Sequence, residues 1–145
     1  MLTIDDDSEI RALICHSLRH LDIDIVEAKD GDSAMAVIAK AVPDLILLDV
    51  CMPGKDGLAI CRELRTNPEC QPIPVVIVSS LDENETISRA YDVGATDFIL
   101  KPFDPTTLAH RVRYMLRAGK AFGDLRRSQG RLDHAQRIAK LGYWE

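Results

Sequence analysis

The stretch Leu45-Ile-Leu-Leu-Asp-Val-Cys-Met-Pro-Gly54 (LILLDVCMPG) carries an apolar run directly into one carboxylate, that of Asp49. Four consecutive apolar residues are typical of a strand that is buried on both faces of a parallel sheet. Burying an unpaired carboxylate is costly, so an Asp at the end of such a strand needs compensating groups nearby. The stretch therefore predicts a central strand with a compensated carboxylate at its carboxyl end.

The segments around this stretch alternate between short apolar strands and amphipathic helices. Strands are predicted over residues 2–4, 23–26, 44–48, 75–78 and 98–100. Apolar residues at helical spacing follow each strand, and the helices are predicted to start near Ser8, Ala34, Leu58, Asp82 and Asp104. This alternation predicts an α/β fold, a doubly wound parallel sheet of five strands with helices on both faces.

Composition excludes several classes of protein. The chain has 145 residues, of which 46% are apolar, and it contains no apolar run long enough for a membrane span. The net charge of −5 is unevenly distributed: residues 1–116 carry 11 Lys+Arg against 20 Asp+Glu, and residues 117–145 carry 7 against 3. The acidic part is poorly suited to duplex DNA. We expect a cytoplasmic protein whose four cysteines are reduced thiols without metal-type spacing.

Polar side chains follow four of the predicted strands at the points where the strands end. They are Asp5, Asp6 and Asp7 after the first strand, Asp49 after the third, Ser79 and Ser80 after the fourth, and Lys101 after the fifth. The carboxyl ends of parallel strands share one edge, where ligands bind in open α/β sheets. Clustered carboxylates suit Mg²⁺, and with the cation in place one carboxylate can act as a nucleophile toward a phosphoryl group.

Residues 1 to about 117 resemble the receiver domain of a two-component response regulator. The stretches that carry the resemblance are TIDDDSEIR, LLDVCMPGKDG, PVVIVSS and DFILKPFD, in the order and at the spacing of that family. The resemblance implies a flavodoxin-like sheet of strand order 2-1-3-4-5 with five helices. It also implies a signalling phosphoacceptor that catalyses only its own phosphotransfer and dephosphorylation.

The resemblance assigns roles residue by residue. Asp49 would accept the phosphoryl group from a histidine kinase or a histidine phosphotransferase. Mg²⁺ would be held by Asp6 directly, by Asp5 through water, by Asp49 and by the backbone carbonyl of Cys51. Asp7 would start the first helix.

The remaining roles concern the switch that responds to phosphorylation. Ser79 would hydrogen-bond the phosphoryl group, Lys101 would pair with Asp49 or its phosphate, and Phe98 would be the switch aromatic residue. Lys101-Pro102 would be a cis peptide bond. The resemblance also implies a possible homodimer, formed through the fourth helix, fifth strand and fifth helix or through a C-terminal helix.

Residues 118–145 lie outside the receiver pattern. Imperfect seven-residue spacing of apolar residues predicts a helical linker, and the terminal RLDHAQRIAKLGYWE resembles the lead-in to a PAS-like domain. This suggests a piece of a longer signalling protein whose output would be cyclic-di-GMP turnover or histidine kinase activity. No helix-turn-helix follows the receiver pattern, so DNA binding by this chain is not expected.

Two alternative functions stay open from the sequence. One is a Mg²⁺-dependent aspartyl phosphatase with Asp49 as nucleophile, although Cys51 stands where such enzymes usually carry a second carboxylate. The other is an interaction module that works without phosphorylation, which would be expected to lack one of the site residues.

Overall fold

The computed structural model describes residues 1–52, 54–80 and 84–119. The strands are β1 (Leu2–Ile4), β2 (Val26–Ala28), β3 (Ile46–Asp49), β4 (Val75–Ser79) and β5 (Asp97–Leu100). The helices are α1 (Ser8–Leu18), α2 (Gly31–Lys40), α3 (Gly57–Thr66), α4 (Asn84–Asp92) and α5 over residues 105–119. A 3₁₀ turn, Arg19–Leu21, extends α1.

All strand pairs are parallel, and the sheet order is β2-β1-β3-β4-β5. The predicted fold class and strand order are therefore confirmed. Two apolar clusters cover the sheet. One contains residues of α2, α3 and α4 and the other residues of α1 and α5, so helices pack on both faces.

The central strand of the opening stretch is buried along its whole length. Every residue of β3 is buried, as are Leu45 before it and Val50 after it. Ile46 and Leu48 face the α2–α3–α4 side, whereas Leu45 and Leu47 face the α1–α5 side. Burial on both faces fixes β3 rigidly, and Asp49 at its end inherits that fixed position.

One sequence prediction at the start of the chain is wrong in detail. The second strand is Val26–Ala28 and not residues 23–26, because Ile23 and Ile25 pack toward the α1–α5 core from an irregular segment. Glu27 consequently lies inside β2.

The first helix begins at Ser8, as predicted, and Asp7 caps it, because the Asp7 carboxylate accepts a hydrogen bond from the amide of Glu9. The second helix begins at Gly31, three residues before Ala34, because Asp30 supplies a cap that accepts from the amide of Ser33.

The fifth helix connects the described domain to the C-terminal segment. It continues through residue 119, so the first two residues of the predicted extension 118–145 are helical. The remaining predictions for that extension, the linker helix and the PAS-like lead-in, fall outside the described residues. Among residues 1–52, 54–80 and 84–119, no helix has the length and apolar character needed to cross a membrane.

Candidate functional site

Three carboxylates meet at the carboxyl edge of the sheet. Asp5 and Asp6 follow β1, Asp49 ends the neighbouring β3, and one carboxylate oxygen from each lies within 4.8 Å of the others. Asp5 is 2% exposed and Asp49 is 6% exposed, whereas Asp6 lies at the surface. The group therefore has two buried members and one that faces solvent.

One ammonium group compensates part of this negative charge. Lys101, which directly follows β5, places Nζ 2.9 Å from Oδ2 of Asp5 and 3.3 Å from Oδ1 of Asp49. The Lys101 amide also donates to the carbonyl of Ser79, which holds the lysine beside the end of β4. Lys101 thus pairs with two of the three carboxylates. Its one positive charge does not balance their three negative charges.

The electrostatics of the two buried partners reflect this imbalance. Burial raises the pKa of Asp49, the charge of Asp5 raises it further, and Lys101 opposes both effects only in part. Burial acts to lower the pKa of Lys101, but its hydrogen bond to Asp5 and the charges of both carboxylates outweigh burial and raise that pKa. A positive charge added near Asp49 would therefore favour its ionised form.

The backbone around Asp5 fixes its orientation. The carboxylate accepts from the amide of Asp7 at 2.9 Å, and the Asp5 carbonyl accepts from Nη1 of Arg11 at 2.6 Å. Arg11 is also paired with Glu27 of β2, with Nε 3.1 Å from Oε1. Sequence reasoning missed Arg11, because its role depends on a tertiary contact that its position within α1 does not indicate.

Gly57 supports the site from the other side. Its amide donates to the carbonyl of Val50, and a Cβ at this position would lie 2.0 Å from the carbonyl oxygen of Asp49. Only glycine permits α3 to start this close to the end of β3. Sequence reasoning missed the role of Gly57, although the Asp-Gly pair at residues 56–57, a cap residue followed by a glycine, was the available signal.

The other predicted residues lie on β4 and β5 or just beyond strand ends, at different depths. Ser79 is fully buried at the end of β4, and Phe98 on β5 is half-buried against the α2–α3–α4 core. Cys51 is exposed two residues beyond Asp49. The Lys101-Pro102 peptide bond is cis. All of them lie on β3–β5 or within two residues beyond a strand's end.

The donor set fits a hard divalent cation. Asp5, Asp6 and Asp49 offer only oxygen ligands, and the exposed position of Asp6 leaves room for the waters that Mg²⁺ keeps. A soft metal would require nitrogen or sulfur ligands. The nearest thiol along this loop, that of Cys51, does not belong to the group of converging atoms.

Comparison with known proteins agrees with this geometry. The family model of the response regulator receiver domain matches residues 1–113. Response regulator PleD of Caulobacter vibrioides is 36% identical over 129 residues, covering 89% of this chain and 28% of PleD. Transcriptional regulatory protein RstA of Escherichia coli is 40% identical over 114 residues, covering 79% of this chain and 46% of RstA.

A solved structure shows the same similarity in three dimensions. The receiver domain of NtrX from Brucella abortus is 35% identical, with a TM-score of 0.74 that covers 80% of this chain and 97% of that one. The chain spans less than half the length of PleD and of RstA. The match to the receiver family ends at residue 113 and gives no support to the PAS-like lead-in. On its sequence and its fold, the chain belongs to the response regulator receiver domain family.

Proposed function

We propose that the chain is a phosphorylation-controlled switch in which Asp49 accepts a phosphoryl group from a histidine kinase or a histidine phosphotransferase. The observation that carries the proposal is the convergence of Asp5, Asp6 and Asp49 at the carboxyl edge of the sheet, where Lys101 pairs with Asp5 and Asp49. A rigid, buried strand presents the Asp49 carboxylate there, and phosphoryl transfer depends mainly on such positioning and on electrostatics.

The transfer step needs an ionised Asp49. One of its carboxylate oxygens forms a bond to phosphorus while the phosphorus–nitrogen bond of the phosphohistidine breaks, and the imidazole leaves with the bonding electron pair. Mg²⁺, when bound by Asp6, by Asp5 through water, by Asp49 and by the Cys51 carbonyl, supplies positive charge that favours ionised Asp49 and neutralises phosphoryl oxygens. Lys101 then pairs with the phosphoryl group, and the Ser79 hydroxyl donates to it.

The switch follows from the added charge. A phosphoryl group on Asp49 brings further negative charge and acceptor oxygens to the rim, and it draws the Ser79 hydroxyl toward them. Phe98, half-buried beside β4, repacks as Ser79 moves. When Phe98 repacks, the surface formed by α4, β5 and α5 changes shape. We propose that a homodimer forms either through this surface or through residues 118–145.

The boundary and the output are part of the same proposal. We place the receiver domain at residues 1–117 and treat residues 118–145 as a helical linker toward a PAS-like domain. The switch would control cyclic-di-GMP turnover or a histidine kinase in a longer protein, which is consistent with a chain spanning 28% of PleD. In this reading the domain acts in the cytoplasm, binds no DNA itself and catalyses only its own phosphotransfer and dephosphorylation.

Intact-mass spectrometry with a small phosphodonor tests the assignment. Incubation with Mg²⁺ and acetyl phosphate should add one phosphoryl group to the wild-type chain and none to Asp49→Asn. Asp7→Asn is the matched control, because Asp7 is a neighbouring carboxylate that lies outside the three converging groups. Unchanged phosphorylation of Asp49→Asn would show that the acceptor is another residue.

The phosphatase alternative predicts a different result. It requires a second carboxylate near the nucleophile for acid–base work, and Cys51 occupies that position. Steady hydrolysis of p-nitrophenyl phosphate by the wild-type chain would favour this alternative. A chain that neither gains a phosphoryl group nor binds Mg²⁺ would instead favour an interaction module that works without phosphorylation.

A further inference from the structure

A cavity lies between α1 and the start of α5. It does not include the acidic rim, the name we give to the three carboxylates of Asp5, Asp6 and Asp49. It has a volume of about 380 Å³. Five basic side chains line it: His16, Arg19, His20, His110 and Arg113. The two helices belong to the same layer of the fold, so the cavity opens on the face formed by α1 and α5.

The described residues that line this cavity include basic side chains but no carboxylate. None of them is Asp or Glu, although residues 1–116 are strongly acidic as a whole. Within the described part of the chain, Arg19 and Arg113 make no ion pair, whereas Arg11 and Arg111 do. The carboxylate that caps α5, Asp104, is occupied by the amide of Thr106 and the hydroxyl of Thr107.

The arrangement of charges favours an anion over a metal ion. The pair His16 and His20 is one helical turn apart, which suits metal binding in principle. However, the only described His, Cys, Asp and Glu side chains that converge in a group of three or more are those of the acidic rim. Two guanidinium groups beside the histidines would repel a cation, whereas they would attract an anion.

The side chains that line the cavity restrict the class of anion that would bind there. Guanidinium groups bind phosphate oxygens through paired hydrogen bonds, and two of them can hold two linked phosphates. The volume lies in the range of small-molecule sites, about 300–1,000 Å³. We infer that this cavity, which we call the α1–α5 basic pocket, binds a small molecule that carries a diphosphate group, with Arg19 and Arg113 as its main contacts.

Titration calorimetry on the full chain tests this inference. The titrations use EDTA and the Asp49→Asn background, so that neither metal nor phosphorylation at the acidic rim contributes. The probes are inorganic pyrophosphate, ADP and adenosine. We expect pyrophosphate and ADP to bind, and adenosine not to bind. Tighter binding of ADP than of pyrophosphate would identify a nucleotide as the better ligand, and equal binding would identify the diphosphate group alone.

Variants locate the binding. Arg19→Gln and Arg113→Gln should each weaken pyrophosphate binding by about 10-fold or more, as expected for loss of a charge-assisted contact. Arg62→Gln, at an exposed arginine of α3 that does not line the cavity, should leave the affinity unchanged. All three positions are exposed, so the variants should melt like the background chain.

Three results would overturn the inference. The first is no binding of pyrophosphate or ADP. The second is equal affinity in Arg19→Gln, Arg113→Gln and Arg62→Gln, since binding would then arise from overall charge. The third is binding of Zn²⁺, tested without EDTA, that is lost in His16→Gln while pyrophosphate fails to bind, because the cavity would then be a metal site.

Discussion

The two edges of the sheet hold their charged groups in opposite ways. At the carboxyl edge, Asp5 and Asp49 are buried beside each other and both pair with Lys101. At the amino edge, Arg65 at the end of α3 meets neutral acceptors. Its Nε donates to the Gly94 carbonyl at 2.8 Å, and its Nη1 donates to the Ile73 carbonyl at 2.6 Å.

The amino edge satisfies its hydrogen bonds and the carboxyl edge does not balance its charge. Arg65 also donates to the Gln71 carbonyl and to Oγ1 of Thr96, so it joins the segments that lead into β4 and β5. Position 94 requires glycine for two reasons. Its φ of +103° is rare for other residues, and a Cβ there would lie only 2.6 Å from the Arg65 side chain. We infer that the contacts of the amino edge stabilise the fold. The uncompensated carboxylates of the carboxyl edge destabilise it but are the groups that can react.

The largest expected loss of stability comes from a substitution that displaces the β3–α3 connection at the carboxyl edge. Gly57→Ala places a Cβ against the Asp49 carbonyl, so the β3–α3 connection must shift, and we expect a loss of about 3 kcal/mol in the free energy of unfolding. Denaturant unfolding measures this loss, and acetyl phosphate labelling should slow in parallel.

Gly31→Ala provides the matched control for that change. It is also the first residue of its helix, but its Cβ would meet side chains and no backbone: that of Ile60 at 3.2 Å and that of Lys55 at 3.8 Å. We expect little change in stability or labelling. If Gly57→Ala behaved like Gly31→Ala, the close approach of α3 to Asp49 would not shape the site.

Replacing Arg65 should cause the next largest loss of stability. Arg65→Met leaves several carbonyl groups without a donor, and we expect a loss of about 2 to 3 kcal/mol in the free energy of unfolding. Labelling of Asp49 should remain at the wild-type rate. Arg62→Met, an exposed arginine on the same helix, should change neither property. A slower labelling rate in folded Arg65→Met would mean that the two edges are coupled and that the comparison fails.

Mg²⁺ should stabilise the chain through the carboxylates of the carboxyl edge and not through the amino edge. A ligand at about 100 times its dissociation constant adds about 2.7 kcal/mol to the free energy of unfolding, which thermal melts with and without Mg²⁺ can measure. We expect this gain in the wild-type chain and in Arg65→Met, and a much smaller gain in Asp6→Asn. An equal gain in Asp6→Asn would place the metal elsewhere.

Neutralising Asp49 should have the smallest effect, and it should be favourable. Because the pKa of Asp49 is raised in the folded state, the folded chain holds that proton to higher pH than the unfolded chain does. Stability is therefore lost as pH rises from the ordinary pKa of an unfolded aspartate through the raised pKa of the folded state, and it stays lost above the folded pKa. In EDTA at neutral pH, Asp49→Asn should melt higher than the wild type.

The pH profile separates this effect from a general change in charge. The advantage of Asp49→Asn should disappear at pH values below the unfolded pKa, where the wild-type carboxyl is protonated in both states. Asp44→Asn removes an exposed carboxylate just before the same strand and should show no such advantage. An Asp49→Asn chain that melts lower than the wild type at neutral pH would show that Lys101 compensates the carboxylate fully.

Much of the carboxyl edge was predictable because it depends on strand ends. An apolar run followed by a polar residue indicates both a strand and its end, and parallel order brings such ends together. Asp5, Asp6, Asp49 and Lys101 were found in this way, and the structure brings them within ion-pair distance or within one carboxylate group.

The amino edge was not predictable from the same signals. The contacts of Arg65 reach residues as far apart as Gln71 and Thr96, and no local pattern indicates which carbonyl groups an arginine will meet. The start of β2 was misplaced for a related reason. Ile23 and Ile25 are apolar because they cover the core, and apolar character alone does not show whether a segment pairs as a strand.

We propose Asp49 as the single phosphoryl acceptor, and chemical trapping tests this proposal most directly. Borohydride reduces an aspartyl phosphate to homoserine, which peptide mass spectrometry can locate after treatment with acetyl phosphate and Mg²⁺. We predict homoserine at residue 49 of the wild-type chain and nowhere in Asp49→Asn. Homoserine at residue 5, 6 or 7, or a phosphorylated chain with no homoserine at residue 49, would contradict the account.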